Sequence, residues 1–469
     1  MVEQSTDWSR ADAASIAAGV AEGRVRARSV IEATLARIGR VDPAVNAFTD
    51  VTAAHALAAA DAVDARRAAG AASGPLAGVP FAVKNLIDCA GLPTRAGSTI
   101  NRERAPAARD GALVRRLEAA GAVLVGALNM GEYAYDFTGE NVHDGDSRNP
   151  HAAGHMTGGS SGGSGAAIAA GLVPLTLGSD TNGSIRVPSA FCGCFGLKPT
   201  YGRLTRAGSF PFVNSLDHLG PMARSVTDLA LAYDAMQGPD PDDAAATARA
   251  AEPVLPGLDS GLGDLRIAVA GGYFARGGDP EAFAAVQVAA RALAATRVVE
   301  IPEAARARAA AYLITAAEGA ALHLDRLRTR PEDFDPAVRD RLIAGAMLPA
   351  PFVERAQRFR RWYRGAVADL FADVDVILAP STPCRAPPRG QTHFTLDGVS
   401  LPVRANIGVF TQPISFIGLP VAAVPVWLEG GLPLGVQVIA APWREDVALR
   451  VARVLERLGI VRAPIAELT

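Results

Sequence analysis

From Met156 to Ser189 the chain reads MTGGSSGGSGAAIAAGLVPLTLGSDTNGSIRVPS, and this run of small residues constrains the fold more than any other stretch. Glycine at such density lets backbone amides approach a ligand closely and reach positive φ. Gly165 to Gly171 reads as a small-residue helix, and LVPLTLGS as a strand that runs into the turn DTNGS. A strand ending in such a turn leaves consecutive N–H groups unpaired. Asp180-Thr181-Asn182-Gly183-Ser184 can wrap them around a developing oxyanion with the Ser184 hydroxyl alongside, and donors fixed there in advance are usually the largest catalytic contribution. A plain hairpin turn is the other reading of the same residues.

For GGSSGGSG several readings compete. A phosphate loop needs G-x-x-x-x-G-K-[ST], and no lysine follows here. Gly158 to Gly162 formally matches the G-x-S-x-G nucleophile elbow, but the elbow must follow a strand and the preceding HAAGHMT reads as a turn. A third reading makes the loop half of a serine–serine–lysine site. A flexible glycine linker is the fourth.

Lysine usage sharpens the third reading. The chain holds 46 cationic residues, of which only Lys84 and Lys198 are lysine and 44 are arginine. Under an arginine and alanine bias, lysine survives where arginine cannot replace it. Arginine never sheds its proton in a protein, whereas a buried lysine can. Lys84 ends the apolar run Val79 to Val83, which reads as a buried strand delivering one cation at its tip. Lys198 has no such setting and reads as packing.

The rest of the chain reads as α/β. Residues 6 to 69 are expected to be helical, with Ser29 capping a helix that reaches Ile38 and a second helix over Ala53 to Ala69. A helix near Gly111 to Ala120 precedes the strand AVLVGALN, and 138 to 164 reads as loop. RIAVAG, a helix near 280 to 294 and VVEIP form a βαβ unit. Residues 303 to 370 read as amphipathic helices. DVILAP and LGVQVIA are late strands, and a last helix covers about 445 to 458. Strands alternating with helices give an α/β fold, expected here as one domain with a twisted mixed sheet flanked by helices and the site at a sheet edge. Within it we distinguish a helical region 1–69, a core 70–230, a variable region 231–370 and a C-terminal part of the core 371–469.

Composition narrows the setting. A formal net charge of −2 points to neither nucleic acid nor an anionic membrane as partner. The start MVEQSTDWSRADAAS lacks a basic segment followed by an apolar run, so no secretory leader is expected and the expected compartment is the cytoplasm. The four cysteines, including the lone C-x-C of Cys192 and Cys194, read as reduced packing thiols. His151 and His155 have the i, i+4 spacing of metal ligands, but Pro150 and Gly154 argue against the helix that spacing needs, so no metal or cofactor is expected.

The stretch GGSSGGSGAAIAAGLVPLTLGSDTNGSIRVPSAFCGCFGLKPTYGRLTR resembles the signature region of the amidase signature family. PLAGVPFAVKNLIDCAGLPTRAGS resembles its lysine segment, and VDVILAPSTP with GLPLGVQVIAAPWRED resembles its C-terminal part. The resemblance runs along most of the chain and is weakest over 230–370. It implies Lys84 as base, Ser160, preceded by a cis peptide bond, as relay, Ser184 as nucleophile, and the amides of Thr181, Asn182, Gly183 and Ser184 as oxyanion hole. Two departures stand out: Asn182 replaces a glycine common in the family, and Asn85 follows the lysine where many members have aspartate.

The implied activity is hydrolysis of a C–N bond in a small amide, urea or carbamate. GENVHDGDSRNP with the lysine segment most resembles the 1-carboxybiuret hydrolase branch, whose members pair with a small helical companion subunit. The alternatives are a broad aryl amidase or urethanase, a glutaminase-type subunit of a tRNA-dependent amidotransferase, and an inert amidase-fold scaffold. Tyr133, Glu140, Asn141 and His143 are candidate pocket residues, and Arg186 is expected to hold Asp180 or nearby backbone in place. A homodimer or higher oligomer is expected.

Overall fold

In the computed structural model, which describes residues 7–468, the apolar runs assemble into one mixed sheet of eleven strands. The strands are β1 (Phe48–Val51), β2 (Pro80–Lys84), β3 (Val123–Leu128), β4 (Leu175–Asp180), β5 (Phe195–Lys198), β6 (His218–Ala223), β7 (Ile267–Ala270), β8 (Arg297–Val299) and β9 (Val376–Pro380), followed after a separate hairpin, β10 (His393–Leu396) and β11 (Val399–Pro402), by β12 (Val421–Val426) and β13 (Leu434–Ala440). Their spatial order is β1-β3-β2-β4-β6-β5-β12-β13-β9-β7-β8. Interior strands such as β2, β3, β4 and β13 are buried along their whole length, which is why they read as near-continuous apolar runs.

The α/β class and the flanking helices are as expected, and the βαβ unit forms with β7 and β8 parallel. The site, however, lies on interior strands and not at an edge of the sheet. β2 runs parallel to both β3 and β4, so Lys84 and Asp180 emerge at the same carboxyl rim. Beyond β4 the direction reverses, because β4 and β6 are antiparallel. Ligands of open α/β sheets bind outside the carboxyl ends of strands.

Other expectations need correction. β1 interrupts the stretch read as wholly helical, and pairs antiparallel with β3. The helix expected to start at Ser29 runs from Ala27 to Val45. Its first amides, Ala27 N and Arg28 N, donate to the Asp64 carboxylate at 2.9 and 3.1 Å, so a residue of the next helix supplies the cap instead of Ser29. The small-residue helix begins earlier than expected and spans Gly162–Ala169.

That helix seats the loop before it. Ser161 Oγ accepts from Ser179 N and donates to Ser179 O, both at 3.2 Å, and Ser164 Oγ donates to Leu177 O at 3.2 Å. Glycine is a poor helix former, but at Gly163 it is required by close approach. A Cβ there would lie 2.6 Å from Ala47 O and Asn129 O and 2.7 Å from Asn129 N, all backbone. Gly163→Ala is therefore expected to destabilise the protein by about 1–3 kcal/mol through overpacking. The denaturant midpoint checks this, and an unchanged midpoint would show that the two backbones separate freely.

Candidate active site

Lys84 is fully buried at the tip of β2. Its Nζ donates to Ser160 Oγ at 2.6 Å and to Ser179 Oγ at 2.8 Å. Burial, the dominant influence, pushes its pKa down to about 7, against the opposing pull of Asp180, Asp217 and Asp136. Ser179, on β4, was not singled out from sequence. It sits two residues from Thr181 on the strand that delivers the turn, which was the available signal. The peptide bond between Gly159 and Ser160 is cis.

Ser184 lies in the turn between β4 and the helix Arg186–Cys192. No hydrogen bond joins the Ser160 and Ser184 hydroxyls among the described residues. The backbone N–H groups of Thr181, Asn182, Gly183 and Ser184 likewise find no acceptor among the described residues, while Ile185 N turns back to Asp180 Oδ2 at 3.2 Å. Gly183 has φ of 143°, and a Cβ on it would lie 2.3 Å from Thr411 Oγ1, so only glycine fits. Thr411 Oγ1 in turn donates to Asn182 O at 2.7 Å.

Asp180 and Arg186 form a bidentate pair, with Nε and Nη2 each 2.9 Å from a carboxylate oxygen and both side chains fully buried. Arg186 also donates to Thr411 O at 3.0 Å, to Gln437 Oε1 at 2.7 Å and to Ser415 Oγ. Burial alone would raise the Asp180 carboxyl, but the Arg186 guanidinium, with Lys198 and His218, holds it well below the usual carboxylate range. Lys198, also fully buried, donates to Pro199 O at 3.1 Å and to Leu419 O, and its Nζ lies 3.4 Å from His218 Nε2. Asn85 fastens the turn at 96–97, accepting from Gly97 N at 3.0 Å. Cys192 and Cys194 are buried free thiols, as are Cys89 and Cys384.

The cleft at Ser184 is lined by Tyr135, Asp136, Phe137, Phe212, Tyr312, Thr315, Arg341 and Gln412 together with the turn itself. None of the four residues expected to line it does so. Tyr133 packs among His323, Phe210 and Phe334. Asn141 binds the backbone of Gly97, Met130, His143 and Asp144. His143 pairs with Glu132 at 3.0 Å, and Glu140 accepts from Arg404 and Gly390 N. Polar residues in that loop satisfy backbone groups, and the cleft's polar wall comes from the helices Ala304–Thr329 and Pro336–Ala346 together with Asp136 and Gln412. His151 stands edge-on to Trp427 at 4.9 Å.

An eleven-stranded mixed sheet with a buried lysine and two serine-bearing loops at one carboxyl rim defines a hydrolytic α/β enzyme. The chain belongs to the amidase family, whose model matches residues 29–449. It is 56% identical to AtzE, a subunit of the 1-carboxybiuret hydrolase of Pseudomonas sp. (strain ADP), over 95% of this chain and 98% of that one. It is 39% identical to a glutamyl-tRNA(Gln) amidotransferase subunit of Roseiflexus sp. (strain RS-1), over 93% and 94%. A solved structure of a vestigial protein complex bearing on the origins of an s-triazine catabolic enzyme superposes with a TM-score of 0.96 at 55% identity, covering 97% of this chain and 100% of that one. The protein is thus an amidase-type hydrolase acting on C–N bonds other than peptide bonds. No helix among the described residues is long and apolar enough to cross a membrane.

The buried pair gives a direct test. Asp180→Asn leaves the Arg186 charge uncompensated inside the protein, and breaking a buried pair on one side is expected to lower stability by about 3–5 kcal/mol. Equilibrium denaturation checks this. Parental stability in the variant would mean that water reaches the pair.

Proposed function

We propose that the protein hydrolyses a small urea- or amide-type C–N bond in a substrate carrying a carboxylate, of the 1-carboxybiuret kind, by a Ser184–Ser160–Lys84 relay. The observation that carries the chemistry is a fully buried Lys84 amine 2.6 Å from Ser160 Oγ, beside the Ser184 turn. A solvated lysine is protonated at neutral pH, and burial makes this one a base. Neutral Lys84 takes the Ser160 proton as Ser160 takes that of Ser184, and Ser184 Oγ attacks the substrate carbonyl carbon. The Ser160–Ser184 contact closes in the substrate complex, as catalytic hydrogen bonds often do. The free N–H groups of residues 181–184 receive the oxyanion. Its collapse breaks the C–N bond, and the relay returns the proton to the leaving nitrogen. Water then attacks the acyl- or carbamoyl-enzyme, losing its proton to the same relay, and frees Ser184.

The substrate class rests on Arg341. This guanidinium lines the cleft, donates to the backbone carbonyls of Ala337 at 2.7 Å and of Tyr135, and pairs with no carboxylate among the described residues. A cation held beside the nucleophile by two backbone carbonyls and by the face of the Tyr135 ring, 3.8 Å from its Cζ, with no carboxylate partner among the described residues, suits a substrate carboxylate. The 56% identity to a protein of 1-carboxybiuret hydrolysis supports the same class. Glutamine also carries a carboxylate, and the amidotransferase relatives favour it as the second reading. Cytoplasmic location, a homo-oligomer and a small companion subunit belong to the same proposal. The companion is supported by two relatives: AtzE is one subunit of its enzyme, and the superposing solved structure is that of a complex.

The purified chain, alone and with a candidate companion, is to be assayed on 1-carboxybiuret, biuret, glutamine, an aryl amide and an aryl carbamate. Highest kcat/KM on 1-carboxybiuret supports the proposal, and glutamine turnover with none on carboxybiuret replaces it with the second reading. Arg341→Met is expected to lower the preference for carboxybiuret over biuret by about 10–100-fold, the worth of a charge-assisted contact.

The base assignment predicts a pH profile. Lys84 works only when neutral, so kcat/KM should climb as pH rises through about 7 and level off above it. Lys84→Arg, which cannot deprotonate, should lose at least about 10²–10⁴-fold in rate, and Ser184→Ala should lose turnover altogether. Near-parental activity in Lys84→Arg removes lysine from the mechanism.

A further inference from the structure

Asn182 occupies the turn one residue from Gly183 and two from Ser184, and it lines the cleft. Its backbone lies outside the positive-φ region that would demand glycine, so a side chain is accommodated there without strain. The residue is 7% exposed. Its Nδ2 donates to Thr315 Oγ1, 2.9 Å away on the helix Ala304–Thr329. Its Oδ1 is buried and has no hydrogen-bond partner among the described residues. Thr315 therefore fixes the amide by its nitrogen and leaves the oxygen as an unused acceptor within the residue that also presents a backbone N–H to the reacting carbonyl.

Buried amide oxygens in folded proteins are almost always hydrogen-bonded, and an orphan is a strong demand for a donor. Several side-chain donors around the cleft are engaged elsewhere: Arg341 bonds carbonyls of Ala337 and Tyr135, Tyr312 bonds Ala405 O, and Thr181 Oγ1 donates to Asp217 at 2.6 Å, and none of the cleft's side chains donates to Asn182 Oδ1 among the described residues. A substrate that enters the cleft can supply that donor. An acceptor carried on the oxyanion turn lies beside the scissile carbonyl, so the group it meets is the hydrogen of a nitrogen bonded to that carbonyl.

We propose that Asn182 Oδ1 is a specificity element that accepts an N–H attached to the scissile carbonyl, so that the site selects ureas and amides bearing that hydrogen over esters and fully substituted amides. A site built to pair with a substrate N–H rejects analogues without it, because the buried acceptor is then left unpaired. This rests on Ser184 as nucleophile. It adds a reading of substrate nitrogen to the reading of carboxylate by Arg341.

The experiment compares two substrate pairs: 4-nitroacetanilide with 4-nitrophenyl acetate, which exchange N–H for O on the leaving side, and phenyl carbamate with phenyl acetate, which exchange NH₂ for CH₃ on the acyl side. Changes in intrinsic reactivity cancel when each variant's ratio of kcat/KM is divided by the parent's. Asn182→Gly and Asn182→Ala are expected to lower the preference for the N–H member about tenfold or more in at least one pair. Thr315→Val, which frees the amide to rotate, should move the same pair in the same direction by less. Equal losses on both members of both pairs overturn the assignment. Labelling of the parent by a fluorophosphonate separates the two levels. An adduct at Ser184 with flat ratios sinks only the role of Asn182, whereas no adduct sinks the hydrolytic reading and this inference with it.

Discussion

At the rim of β4 a carboxylate and a guanidinium are buried together, and the geometry of the turn between them follows from that pair. Asp180 is the last residue of β4 and Arg186 the first of the next helix, so the ion pair closes the loop that contains residues 181–185. Taking both charges out of water is unfavourable unless every remaining donor is satisfied. Here the guanidinium reaches Thr411, Ser415 and Gln437 as well, which ties the turn to the C-terminal part of the chain. The amides of residues 181–184 are left without protein acceptors among the described residues, while Ile185 N turns back to the pair. The pair fixes the backbone by contacts from behind, and the front stays free.

The same pair settles an electrostatic conflict. Lys84 is useful as a base only if it is neutral, and the Asp180 charge, the largest of those pulling on it, favours the protonated amine. Arg186 supplies an opposite charge in contact with that carboxylate, so the field Asp180 exerts at Lys84 is that of a pair and not of a lone anion. Burial then prevails and the amine sits near neutrality. Lys198, on the far side of Asp180, is a second buried cation brought down to about 7, first by burial and then by Arg186. Its bonds run to carbonyls of the 199 and 419 loops, which makes it a strut. The two lysines spared by the arginine bias thus survive for different reasons. The proposed relay needs the first to lose a proton, and the second is held by two backbone carbonyls beside His218 Nε2.

How much of this could be read from sequence varies by element. Strands β2, β3, β9 and β13 are apolar runs legible within a residue or two, and β4 begins three residues later than the run LVPLTLGS suggests, beyond Pro174. Strands β5, β6 and β12 were not legible. β6 carries Pro221 and β12 carries Pro425, and proline argues against a central strand. The structure accommodates Pro425 because the pairing of β12 with β5 ends at Ala423, so that side of the residue has no ladder to break. β1 was hidden because four residues between two helices have no period of their own. The Ser29 cap failed because capping is tertiary here: a carboxylate from the following helix reaches the N-terminus first. The burial of Lys84 at a strand end and the pairing of Asp180 with Arg186 were legible because each follows from a short local motif, an apolar run and a strand-to-helix turn. The cleft wall was not, since Tyr312, Thr315, Arg341 and Gln412 are more than a hundred residues from Ser184 in sequence and only packing brings them there.

That division has a physical basis. The groups that move protons must meet within about 3 Å, and the surest way to hold such distances is on strands and turns of one sheet. Groups that choose a substrate need only face the cleft, so they can hang from helices that lean over the rim. The helices Ala304–Thr329 and Pro336–Ala346 do so. They contribute a hydroxyl that orients the Asn182 amide and an arginine without a carboxylate partner. On the reading proposed above, the choice of substrate is shared between these helices and Asn182 on the turn that follows β4.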